Sequence, residues 1–176
     1  GTGLYSAIAI LMAIVEREKS GQGQYLDMAL YDCAVSLMHP HIVNYNFSGK
    51  VPVATGNAHP NISPYDTYRT KTVDIFIGAG NNRAYAKLCN ELDRPDLIDD
   101  ARFINNIDRV NNRGELKVEM ESAMMKIDGS EIADRLAQAG LAAGPIHDTA
   151  QVVAHPHTIH REMSIEEDWY KMTGTP

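Results

Sequence analysis

Leu4 to Val15 forms the only long apolar run in the chain, 12 residues that end on Glu16-Arg17-Glu18-Lys19 and then Ser20-Gly21-Gln22-Gly23. A helical bilayer span takes about 20 apolar residues. The run is too short for that, and its charges lie on the wrong side for a signal peptide. It predicts a buried helix from about Gly3 to Lys19, capped by Thr2 or the residue before it and stopped by the glycines. Gln24 to Ala29 alternates polar and apolar and reads as a strand. A second helix is expected from Leu30, with Asp32 in its first turn and Pro40 placed to kink it before Tyr45. Helix, strand and helix with short connections belong to an α/β layered sheet, which this run cannot cover by itself.

At 176 residues and 44% hydrophobic, the chain can bury one good core or contribute to two smaller ones. A net charge of -7 argues against a nucleic-acid surface and gives no reason to expect an anionic membrane as partner. Cys33 and Cys89 sit in regular apolar patterns without a CxxC spacing, which reads as reduced core cysteines of a cytoplasmic protein. The chain begins Gly1-Thr2-Gly3 and stops at Thr173-Gly174-Thr175-Pro176, which reads as an excised piece of a longer protein.

From Phe47 to Pro64 periodicity fades into Ser, Gly, Lys, Pro, Thr, Asn and His, the composition of a linker, so a second domain is expected near Tyr65. Tyr68 to Thr70 and Val73 to Ile77 read as a hairpin around Lys71-Thr72. Helices are expected over Asn82–Leu92, with Tyr85, Leu88, Cys89 and Leu92 on one face, and over Arg109–Met125, with Leu116, Met120 and Met124 inward. Pro95 opens a short helix or turn. Ser130 reads as the cap of a helix that Gly140 stops, and Met125 is expected in or beside the core with Met120 and Met124. His39, His41, His155, His157 and His160 cluster without a cysteine or carboxylate at ligand spacing, so no metal site is expected, and Glu166-Glu167-Asp168 reads as a solvated turn.

The polar segment around Gly56-Asn57-Ala58-His59-Pro60-Asn61-Ile62-Ser63-Pro64-Tyr65 combines a glycine, two stiffening prolines and side chains that donate and accept without obligatory charge. It resembles the GN-x-HP-x-x-x-PY signature of class III CoA-transferases, the family that includes formyl-CoA transferase, carnitine CoA-transferase and α-methylacyl-CoA racemase. Further matches follow in order. Glu16 to Asp32 resembles the family's ERE-x-[ST]G-x-GQ-x-x-D-x-x-x-x-DA segment, with Cys33 in place of the small residue. Ile77 to Asn82 resembles its glycine turn, Leu88 to Pro95 its LC-x-x-LGRP helix end, Asp100 to Arg113 its D-P-RF-x-TN-x-x-R-x-x-NR run, and Ala143-Gly144-Pro145-Ile146 its AGPV turn.

The resemblance implies an α/β fold class: the end of a large nucleotide-fold-like, CoA-binding domain (helix-strand-helix) over residues 1–50, and a small α+β domain over 66–163 with a short antiparallel sheet and several helices. A linker and substrate loop would occupy 51–65, and 164–176 would start the return to the large domain. It implies transfer of CoA from an acyl-CoA to a carboxylic acid through an aspartyl intermediate, the aspartate standing just upstream of Gly1. CoA thioesters are then substrates, no tightly bound cofactor or metal is expected, and the full-length protein is an interlocked homodimer. Asn57, His59, Asn61 and Ser63 are the expected acyl or acceptor contacts, and Leu30 stands where an apolar residue of the acyl pocket is expected. The loop matches the position of a mobile glycine-rich loop in the formyl-CoA transferase branch, but His59 to Ser63 replace those glycines, which argues against equal mobility. The same segment could instead be an ordered linker held by Asn turns. Two other readings stand beside transfer: an acyl-CoA racemase, disfavoured because Asn81 stands where that branch has a carboxylate, and a noncatalytic binding or dimerisation fragment.

Overall fold

The computed structural model describes residues 1–167 and 170–173, with backbone alone for 164–167 and 170–173. Two compact units divide the chain, Gly1–Ala54 and Thr55–Pro176. Nine α-helices, a three-stranded antiparallel sheet and a two-stranded one occur among the described residues.

In the first unit, α1 (Thr2–Ser20) ends at Gly21, whose φ of 73° closes the helix through an N–H to Arg17 O bond. Arg17 and Lys19 occupy its last turn, where cations meet the negative end of the helix dipole. The expectation of a buried helix is corrected: α1 has no buried residue, and Leu4, Leu11 and Met12 are 74%, 61% and 68% exposed. A helix apolar on most of its surface needs cover on several sides, and this unit holds only α2 (Leu30–Leu37) and α3 (His41–Ser48) besides it. The strand expected over Gln24–Ala29 is also absent. Its backbone has no second extended segment in the unit to pair with, although Ala29 keeps extended dihedrals as the cap of α2. Pro40, which lacks an N–H, separates α2 from α3 as the sequence suggests.

The second unit is built on β1 (Tyr65–Tyr68), β2 (Ile75–Gly78) and β3 (Ala142–Pro145), in the order β1-β2-β3. Tyr68 pairs with Ile75, so β1 ends earlier than expected and the Lys71-Thr72 turn widens to a loop. Glu121 causes this: it takes the Arg69 backbone N–H at 3.1 Å and its guanidinium at 2.7 Å, drawing the chain off the ladder. The expected Ala143–Ile146 turn is instead largely the edge strand β3, where Pro145 costs no interior ladder bond.

α4 (Asn82–Glu91) buries Tyr85, Leu88 and Cys89, and a 3-10 turn follows at Pro95–Leu97. One helix was expected over Arg109–Met125; two form, α5 (Asn106–Asn111) and α6 (Arg113–Met124). Asn112 breaks them, its Nδ2 donating to Arg102 O and Asp108 O, both at 3.0 Å. α7 (Gly129–Gln138) is capped by Asp128 rather than Ser130, because the Asp128 carboxylate accepts from the N–H groups of Ser130 and Glu131. Thr72 ties this cap to the β1–β2 loop by donating to Asp128 and accepting from Gly129 N, each at 2.9 Å.

Ile75, Ile77, Leu88, Phe103, Met120, Met124, Ile132 and Leu136 fill the core between the sheet and these helices. Met125, expected in or beside it, is 47% exposed, one position past the buried stripe of α6. α8 (Thr149–Ala154) opens with a capping box between Asp148 and Gln151, and α9 (Pro156–His160) follows. β4 (Ser164–Glu167) pairs antiparallel with β5 (Tyr170–Thr173). Glu166 and Glu167 thus belong to a strand rather than the expected turn, and Asp168 lies outside the described residues. No described helix is long and apolar enough to cross a membrane.

Candidate functional site

The loop before β1 is where the chain concentrates polar chemistry, and two arginines hold it. Arg109 of α5 is wholly buried without a carboxylate partner. Its Nε donates to Ser63 O at 2.8 Å, Nη1 to Phe103 O at 3.0 Å and Nη2 to Asn82 Oδ1 at 2.9 Å, while its guanidinium lies 4.4 Å from the Tyr85 ring centroid. Burial pulls its pKa below the ordinary value, but a guanidinium stays protonated, so these oxygens and the ring must offset its desolvation. Arg113 of α6 reaches the same loop through Nη1 to His59 O at 3.2 Å and Nη2 to Pro60 O at 3.1 Å. Asn106 completes the clamp, accepting from Ser63 N and donating to Asn61 O.

The expected contact residues meet different fates. His59 is partly buried, its Nδ1 accepting from Asn61 N at 3.1 Å and its ring edge-on to Tyr65 at 5.2 Å. Ser63 is buried at 6% exposure, whereas Asn57 and Asn61 are exposed. His59, Asn61 and Ser63 therefore share one clamped turn, with Asn57 on its open approach. Leu30, the first residue of α2 in the other unit, is 76% exposed. Asn81 caps α4 by accepting from Ala84 N at 2.9 Å.

A cavity of about 240 Å³ opens between this loop, β1 and α6, lined by Thr55, Ile62, Ser63, Tyr68, Arg113 and Lys117 among others. Lys117 Nζ donates to Asp66 Oδ2 at 2.9 Å and lies 5.4 Å from the Tyr68 ring centroid. Burial, then Asp66 and Glu121, push the Tyr68 phenol far above its ordinary value, so it remains a donor. No group of three or more metal-binding side chains forms among the described residues.

The model of CoA-transferase family III matches residues 1–176. The chain belongs to that family. It is 30% identical over 174 residues to the acetyl-CoA:oxalate CoA-transferase of Acetobacter aceti, covering 99% of this chain and 45% of the relative. The succinyl-CoA:mesaconate CoA-transferase of Haloarcula marismortui is 34% identical over 167 residues, covering 95% of this chain and 41% of the relative. A crystal structure of a CAIB/BAIF family protein from Brucella suis superposes with a TM-score of 0.82 at 39% identity, covering 99% of this chain and 46% of that one. The chain spans less than half the length of each of these relatives.

Within this family III chain, the Asp100–Arg113 segment has a physical role that its sequence pattern alone did not disclose. Asp100 pairs with Arg102 at 2.7 Å, Phe103 enters the core, Asn105 caps α5, and Asn106, Arg109 and Arg113 hold the loop. Arg102 lowers the Asp100 carboxyl to about 2 through side-chain and backbone hydrogen bonds. The signal for the clamp was present in the arginine and asparagine spacing, but its target is 46 residues away in sequence, from Arg109 to Ser63.

Proposed function

We propose that the protein carrying this chain moves CoA from an acyl-CoA to a carboxylic acid, with CoA thioesters as substrates rather than a resident cofactor. The observation that carries this reading is the family match along residues 1–176. The relatives' names, which pair acetyl-CoA with oxalate and succinyl-CoA with mesaconate, support a dicarboxylic acid as acceptor. A carboxylate is a poor electrophile, so an aspartate just upstream of Gly1 attacks the acyl-CoA carbonyl, expelling CoA thiolate and forming a mixed anhydride. The thiolate then attacks the aspartyl carbonyl, releasing the donor acid and leaving an aspartyl-CoA thioester. Attack by the acceptor carboxylate and return of the thiolate regenerate the aspartate and release the new acyl-CoA. α1 suits that step, since its N-cap Gly1 supplies no side-chain hydrogen bond and leaves the first N–H groups for an anionic partner.

Residues 1–50 belong in this reading to a large nucleotide-fold-like domain, residues 51–65 to a linker and substrate loop, residues 66–163 to the small domain, and the full-length protein is an interlocked dimer. Asn57, His59, Asn61 and Ser63 contact the acyl or acceptor group, and Leu30 the acyl chain. Racemase chemistry is disfavoured because the Asn81 amide cannot take a proton and already caps α4.

The test is mass spectrometry of CoA esters after the full-length protein is incubated with succinyl-CoA and a panel of carboxylic acids in deuterated water. A new CoA ester without α-deuterium is expected. Deuterium at the α-carbon with no exchange of acid would contradict transfer and favour the racemase branch.

A further inference from the structure

The cavity between the loop, β1 and α6 is rich in donors and short of acceptors. Tyr68 and Ser63 are 3% and 6% exposed, and neither hydroxyl has a protein hydrogen bond among the described residues. Neither hydroxyl oxygen is sealed from solvent, so each is free to give its hydrogen bond to water or to a molecule that enters the cavity. Lys117 carries three N–H groups and gives one to Asp66. Arg113 carries five and directs three to Val110 O, His59 O and Pro60 O. Asp66, the cavity's one carboxylate, already accepts from Lys117 and from Thr67 N.

Two cations against one carboxylate leave a single unmatched positive charge at this cavity. A monoanionic acceptor balances it, whereas a phosphate dianion would leave a negative charge beside Asp66. We propose that this cavity binds a carboxylate group of a small organic acid through the Tyr68 and Ser63 hydroxyls and the Lys117 ammonium. The identity of that acid as the transferase's acceptor rests on the proposed function; the carboxylate site rests on the donors alone. For a dicarboxylic acceptor, the group held here is the carboxylate that does not react.

The experiment is calorimetric titration of the full-length protein with succinate and, separately, with inorganic phosphate, without any CoA ester present. Tyr68→Phe and Ser63→Ala are each expected to weaken succinate about fivefold by loss of one hydrogen bond, and Lys117→Met about tenfold by loss of a charged one. Thermal melts check that each variant folds, and the small Ser63→Ala change keeps the test intact if another does not. Succinate affinity unchanged in the folded variants, no binding by the parent protein, or phosphate binding as tightly as succinate would each overturn the proposal. Acid exchange followed in parallel separates the two claims: variant-sensitive succinate binding without CoA transfer refutes the transferase reading and leaves the site standing.

Discussion

Leu11 and Leu136 are both helical leucines, yet the first is 61% exposed and the second is wholly buried. The difference lies in what surrounds them. In Thr55–Pro176, amphipathic helices close over a three-stranded sheet, and each buried stripe meets another. In Gly1–Ala54, Cys33 is the one buried hydrophobic residue and α1 presents apolar side chains around its circumference. An apolar sequence states that a helix wants cover, while an amphipathic one states also which side the cover is on. The second unit carries its own core; the first carries surface for one.

The contrast can be broken most severely at Arg109. Arg109→Met fits the space but leaves the carbonyls of Ser63 and Phe103 without their donor, so a loss of about 4 kcal/mol in the second unit's stability is expected by chemical denaturation. Amide hydrogen exchange over residues 55–64 should speed up in the same variant, and unchanged exchange would mean the clamp does not hold the loop.

Leu136→Ala should cost about 3 kcal/mol, since the cavity it leaves lies deep among α7, α4 and the sheet. Leu11→Ala in this 176-residue chain should stay within about 0.5 kcal/mol. A large loss at Leu11 in the full-length protein alone would sharpen the comparison, because it would show that the cover comes from residues beyond this chain.

The smallest effect concerns acid. Burial would raise the Glu121 carboxyl, but the Arg69 side chain and backbone hydrogen bonds outweigh it and hold it below its ordinary value. Its folded pKa therefore lies below its unfolded one, so its contribution is present above the unfolded value and lost as pH falls through the folded value. Asp100, held at about 2, acts with the same sign lower down. Melting midpoints should fall with acidification below about pH 4.5, the ordinary glutamate range. Glu121→Gln should flatten the upper part of that limb, and an identical limb in the variant would assign it to other groups.

Much of the second unit was legible in the sequence because its signals are local. The stripe Leu116, Met120 and Met124, the face Tyr85, Leu88, Cys89 and Leu92, and the glycine stop at Gly140 all stand where periodicity put them. What escaped was set by partners distant in the chain. Glu121 shortens β1 from across the fold, Asn112 divides α5 from α6 through Arg102 O, and β3 forms only because β2 offers an edge. The strand pattern at Gln24–Ala29 shows the converse, a local signal with no partner in its unit. At the candidate site the loop residues were visible by composition, while Arg109 and Arg113 read as part of a family-like run, Tyr68 as a hairpin residue and Lys117 only as part of a helix until the fold brought them to it.

The most direct measurement is peptide mapping of the full-length protein after incubation with succinyl-CoA and hydroxylamine, which converts an aspartyl thioester or anhydride into a hydroxamate. The account predicts a hydroxamate on an aspartate just upstream of Gly1 and none without the acyl-CoA. Absence of the adduct in protein that still exchanges acids, or its appearance on a carboxylate of the second unit, would contradict the aspartyl route upstream of Gly1.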